Sequence, residues 1–146
     1  MKWIKSRVKY KGATGGEGED SATISINQPQ QTLSQANRIY FYSYVDNDSV
    51  LELNKQIDEA SKQMEIVQIT LDLPKPPPVK LYINSPGGEI SAALCAADKI
   101  SRSKVPIHTY CEGETASGAT LMSVCGARRF MTKHSIFLIH QLSSDI

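Results

Sequence analysis

Three short stretches carry residue types that can do chemistry together. The first is Tyr110-Cys111-Glu112-Gly113-Glu114-Thr115-Ala116-Ser117-Gly118-Ala119, with Ser117 set among alanine and glycine. Small neighbours let a substrate reach the hydroxyl, and the Gly118 N–H would lie beside a developing negative charge. Serine is a poor nucleophile until a base within hydrogen-bond reach takes its proton. The second stretch, Ile136-Phe137-Leu138-Ile139-His140-Gln141, is an apolar run ending in histidine. Such a residue is either a satisfied structural histidine or a general base held rigidly at the edge of a site. The third is Ser85-Pro86-Gly87-Gly88. Two glycines there permit positive φ and leave backbone N–H groups unobstructed, and a following helix start adds its positive dipole end, a combination that suits an oxyanion. Singly, each stretch has a plain reading as a structural turn, a helix cap or a structural histidine; the three together are far more specific.

Regular elements must hold these stretches. Ile39 to Tyr44 is aromatic-rich and predicts a strand. Asp46-Asn47-Asp48 predicts a turn, and Ser49-Val50-Leu51-Glu52 has the Ser-x-x-Glu form of a capping box. Val50, Leu53, Ile57, Ala60 and Met64 then recur at helical spacing. Residues 66–72 suit either a continued helix or a strand. Pro74 and Pro76 to Pro78 end that stretch because proline donates no backbone hydrogen bond; a stiff connector and a partner-binding motif both fit. Val79 to Asn84 predicts a strand, and Glu89 to Arg102 a helix with Ile90, Ala93, Leu94, Ala97 and Ile100 along one side. A strand over 105–111, a turn and small-residue helix over 113–126, and short strands over 129–131 and 136–140 complete the pattern. The order β-α-β-α-β with short connections predicts an α/β fold with parallel crossovers.

Composition narrows the function classes. The chain has 146 residues, 40% apolar and 21% charged, with a formal net charge of +1, which fits one soluble domain and gives no pull toward nucleic acid. Residues 1–36 are mostly polar, with the glycine- and acid-rich run Gly12 to Asp20, and are expected to be flexible. Lys2, Lys5, Arg7, Lys9 and Lys11 read as a solvated tail, or else as a contact for an anionic partner. They also interrupt any signal-peptide pattern. No apolar run approaches the about 20 residues that span a bilayer, so the expectation is a cytoplasmic protein without membrane contact. Cys95, Cys111 and Cys125 form no CxxC pair and read as buried free thiols. With His108, His134 and His140 they make no closed metal-ligand set.

The stretches LYINSPGGEISAALCAADKI, CEGETASGATLMSVCGARRF and HSIFLIHQ, in that order, resemble the proteolytic subunit of the Clp protease, and RIYFYSYVDNDSVLELNKQI is similar to that family's first strand and helix. The resemblance covers residues 38–146. It implies the repeated β-α-β units and mainly parallel sheet of the ClpP and crotonase fold, with 37–146 as a catalytic core. Carried over by position, Ser117 matches the family nucleophile, His140 its base, and Gly88 and Gly118 the two oxyanion-hole donors. It further implies a serine endopeptidase cutting unfolded polypeptide inside a heptameric homo-oligomeric ring fed by an AAA+ ATPase unfoldase, with no metal or cofactor in the peptidase. The family's catalytic aspartate lies well downstream of its histidine, and Asp145 stands too close to His140 for that place, so a fragment of a longer protein is the expectation. After Ser117 the family usually has a bulky residue and then glycine; here Gly118-Ala119 follow. The alternatives are a non-catalytic ClpP-like subunit of a mixed ring and, further off, an acyl-CoA-handling relative of the crotonase type.

Overall fold

The computed structural model describes residues 36–142. The polar segment 1–36 lies outside them except for Ala36, which packs against the core, and so does Asp145. Five strands and three helices alternate: β1 (Arg38–Phe41), α1 (Asn47–Thr70), β2 (Val79–Ser85), α2 (Ile90–Ser101), β3 (Ile107–Ala116), α3 (Gly118–Val124), β4 (Arg128–Met131) and β5 (Ile136–Leu138). Every ladder is parallel. The strand order is β1-β2-β3-β4, with β5 also on β3, so the α/β expectation is met.

Because the strands are laid down in one direction, right-handed crossovers put the helices on one face of the sheet. Burial follows. In β2, Val79, Leu81, Ile83 and Ser85 are fully buried while Lys80, Tyr82 and Asn84 on the other face are half-buried. On the helical side, the predicted stripe Val50, Leu53, Ile57, Ala60 and Met64 of α1 is the buried one. Full burial of a Leu53- or Ile57-sized side chain contributes roughly 1.5–3 kcal/mol. The opposite face carries a ladder of rings, one per strand at matched register: Tyr40, Tyr82, Tyr110 and Phe130 stack with centroids 4.9, 4.8 and 4.6 Å apart.

Several local expectations change. The N-cap of α1 lies three residues before the expected one, Ser49. It is Asp46: Ser49 N–H donates to Asp46 Oδ1 (2.8 Å), and Asp46 N–H donates to Ser49 Oγ (3.1 Å). Ser49 is thus the far half of the capping box, and Asn47-Asp48 is helix. The ambiguous stretch from Ile66 continues α1 to Thr70; its β-branched residues do not outweigh a helix already nucleated upstream. In α2 the buried face is Ala92, Ala93, Ala96, Ala97 and Ile100, while Ile90 and Leu94 are exposed. Alanines allow the helix to approach its neighbours closely, and the larger side chains turn outward. Of the three cysteines, only Cys111 is buried; Cys125 is half-buried and Cys95 exposed. Among the described residues, no helix is long and apolar enough to cross a membrane.

Candidate active site

The β2–α2 turn is held from two sides. Ser85, at the buried end of β2, accepts the Gly87 N–H at its Oγ (3.1 Å). Val45, just before α1, donates its N–H to Gly87 O and accepts from Glu89 N–H, both at 2.8 Å. Gly87 and Gly88 sit at φ 97° and 152°. A Cβ on Gly88 would fall 2.1 Å from Val45 O, so only glycine fits between the turn and that segment.

The β3–α3 junction was expected to be a turn beginning at Gly113. Instead β3 runs on to Ala116. It does so through an irregularity: Ile83 pairs with Cys111 but Ser85 pairs with Thr115, so one residue of β2 faces three of β3. Periodicity cannot show such a bulge, and the strand end was therefore read as loop. The reversal is then made by Ser117 alone, at φ 52°, ψ −126°. Only one other non-glycine residue among those described, Asp72, has positive φ. Ser117 N–H donates to Leu138 O (2.9 Å) and Ser117 O accepts from Thr120 N–H (3.0 Å). By position Ser117 is the N-cap of α3, yet its side chain caps nothing. Its hydroxyl has no hydrogen bond among the described residues, unlike the plain reading of a helix-capping serine.

The two turns meet. A Cβ on Gly87 would lie 2.7 Å from both Ser117 Cβ and Ala116 O, and 3.0 Å from Gly118 N. One on Gly118 would lie 3.7–3.8 Å from the Gly88 backbone. Ser117, Gly88 and Gly118 are therefore brought together. Neither glycine N–H donates a backbone hydrogen bond within the described residues.

His140 is placed differently. It lies two residues beyond the end of β5, the strand whose Leu138 carbonyl holds Ser117, and it is exposed. Its Nδ1 lies 2.7 Å from Gln141 O, and among the described residues no hydrogen bond joins it to Ser117. The expected strand to His140 ends at Leu138. Three residues that shape the site were not singled out by sequence: Val45, Asn84 and Leu138; Ser85, expected as the first residue of the turn, is the last of β2. The polar pair Asn84-Ser85 at the end of that strand is the available signal for Asn84. No group of three or more His, Cys, Asp or Glu side chains among the described residues is placed to hold a metal ion.

Comparison with known proteins shows the family. The chain is 33% identical over 109 residues to the ATP-dependent Clp protease proteolytic subunit 1 of Chlamydia felis, covering 72% of this chain and 54% of that protein. It is 31% identical over 128 residues to the ATP-dependent Clp protease proteolytic subunit of Bdellovibrio bacteriovorus, covering 84% and 60%. It thus spans somewhat over half the length of these relatives. Among solved structures, the ClpP protease catalytic domain of Plasmodium falciparum matches with a TM-score of 0.57 and 27% identity, over 73% of this chain and 56% of that one. ClpP1 of Listeria monocytogenes matches in fold with a TM-score of 0.64 and 20% identity, over 75% and 59%. The Clp protease family model covers residues 26–146, and the chain belongs to that family.

Proposed function

We propose that this chain is the catalytic portion of a serine endopeptidase subunit, with Ser117 as nucleophile, His140 as general base, and the Gly88 and Gly118 N–H groups as the oxyanion hole. The observation that carries the reading is the left-handed backbone of Ser117, held against the Gly87-Gly88 turn with its hydroxyl uncapped. A non-glycine residue in such a conformation costs of order 1–3 kcal/mol and persists where surrounding structure enforces it, commonly at active sites. In the proposed reaction His140 takes the Ser117 hydroxyl proton as Oγ attacks a peptide carbonyl. The two glycine N–H groups stabilise the tetrahedral oxyanion, each worth about 3–4 kcal/mol in comparable sites. His140 then gives the proton to the leaving amine, and water hydrolyses the acyl-serine.

Substrates are unfolded polypeptides, and the working form is an oligomeric chamber served by an AAA+ ATPase; the relatives named as ATP-dependent proteolytic subunits support this assignment. A fluorophosphonate probe labels Ser117 in the full-length protein, and Ser117→Ala abolishes labelling; an unlabelled Ser117, where a control ClpP reacts, defeats the proposal. The exposed His140, turned to Gln141 O, favours one second reading, a ClpP-like subunit that builds a mixed ring without turnover. In that case the full-length protein co-assembles with an active ClpP but stays unlabelled.

A further inference from the structure

The bulge in β3 turns a regular strand into one that delivers Ser117, and a single side chain shapes it. Between the pairs Ile83↔Cys111 and Ser85↔Thr115, Asn84 alone faces Glu112, Gly113 and Glu114. Three residues opposite one must fold back on themselves, and the bulge loses ladder partners for its backbone groups. The Asn84 carboxamide supplies one: its Oδ1 accepts from Glu114 N–H at 3.1 Å. Gly113 bends around the same side chain at φ 58°, so close that a Cβ there would lie 2.9 Å from both Oδ1 and Nδ2. The ladder to β5 begins at Glu114, on Ile136, and the ladder to β2 resumes at Thr115, on Ser85; Thr115 and Ala116 then pair with Phe137 and Leu138. The register at which β3 re-enters the sheet therefore decides where Ser117 stands relative to Gly87 and Gly88.

We propose that Asn84 is a positioning residue for Ser117, acting as the template on which the three-residue bulge is folded. Glu114 is exposed, so its N–H can turn to water when the template is lost. The fold then survives, and the damage is a displaced serine. The kinetic part of the test rests on the reading of Ser117 as nucleophile; the structural part does not.

Two variants of the full-length chain separate template from bulk: Asn84→Leu removes the acceptor at similar volume, and Asn84→Asp keeps Oδ1. Fluorophosphonate labelling and peptide hydrolysis are measured at raised ionic strength, which screens the new carboxylate from Glu112 and Glu114. In Asn84→Leu the labelling rate and kcat fall by about 10²-fold, the scale of a small misplacement of a reacting group, while KM holds. Asn84→Asp recovers most of the loss. A parental rate in Asn84→Leu, or an Asn84→Asp as slow as Asn84→Leu, overturns the proposal. Amide exchange reads the same template without turnover: Glu114 and Ser117 lose protection in Asn84→Leu and keep it in Asn84→Asp, and unchanged exchange in Asn84→Leu also overturns it. If the parent's Ser117 does not label, the nucleophile reading fails, while the exchange experiment still decides the role of Asn84.

Discussion

The helix starts of this molecule are built in two ways. The start of α1 is sealed: Asp46 and Ser49 exchange side-chain and backbone hydrogen bonds. The starts of α2 and α3, after Glu89 and Ser117, have no side-chain cap. Sealing an end satisfies orphan N–H groups and stabilises the helix, so leaving it open costs stability. The two open starts are also the two that meet, through Gly87, Gly88, Ser117 and Gly118. α1 needs only to pack. The other two helices begin where N–H groups without a side-chain cap and the Ser117 hydroxyl stand together, and the proposed function uses both.

Substitutions at the open starts give the largest expected effects. Gly88→Ala puts a Cβ 2.1 Å from Val45 O at positive φ and destabilises by on the order of 3–5 kcal/mol in chemical denaturation. Gly118→Ala meets Ala93 Cβ at 3.1 Å and otherwise only ordinary contacts of 3.7–3.8 Å with the Gly88 backbone, and stays within about 1 kcal/mol. Equal losses would show that the two glycines are not differently constrained. Next, Ser117→Gly is more stable than Ser117→Ala by about 1 kcal/mol, since glycine relieves the backbone strain and alanine keeps it. A more stable alanine variant would remove strain from the description of this junction.

At the sealed start, Asp46→Ala lowers the denaturation midpoint but leaves fluorophosphonate labelling unchanged; a slowed label would couple the two kinds of start. The Ser49 hydrogen bonds hold the Asp46 carboxyl below its ordinary pKa. That contribution is complete above the ordinary aspartate range and vanishes as pH falls through the depressed folded value. The smallest effect is a control on the aromatic face. Burial, then Arg128 and Lys80, lower the His108 pKa. Folded stability therefore declines slightly as pH drops through the ordinary histidine range, and Arg128→Ala flattens that slope without touching the label. His108→Gln should remove the slope altogether.

Much of this was legible in the sequence, for identifiable reasons. The stripe from Val50 to Met64 alternates large apolar with charged residues, so its period is unambiguous and its burial came out as read. The Ser117 and Gly88 stretches were legible only in combination, because glycine, serine and proline are ordinary at strand ends and each stretch alone reads as a turn or a cap. α2 was harder: in a helix this rich in alanine, size contrast does not mark the inner face, and Ile90 and Leu94 proved exposed. The bulge opposite Asn84 was invisible, because counting periods assumes that strands advance residue for residue. For the same reason neither the length of β3 nor the hold of Leu138 on Ser117 could be derived. His140 was expected at a strand end, but the strand stops at Leu138, and the direction of its ring depends on contacts that spacing does not encode.

The all-parallel ladder has a kinetic consequence. A parallel pair cannot form from a local hairpin; it waits for a crossover segment to be laid down and packed. Leu138 and the close approach of Gly87 shape the serine turn, while Val45 and Ser85 hold the glycine turn that faces it, and all four are far from Ser117 in sequence. A nascent chain thus carries Gly87, Gly88 and Ser117 before it carries Leu138, whose carbonyl holds the Ser117 turn. For a subunit whose proposed task is to cut unfolded polypeptide, this order of assembly works as a safety catch, since the reactive geometry comes into being only as the chain itself ceases to be a substrate.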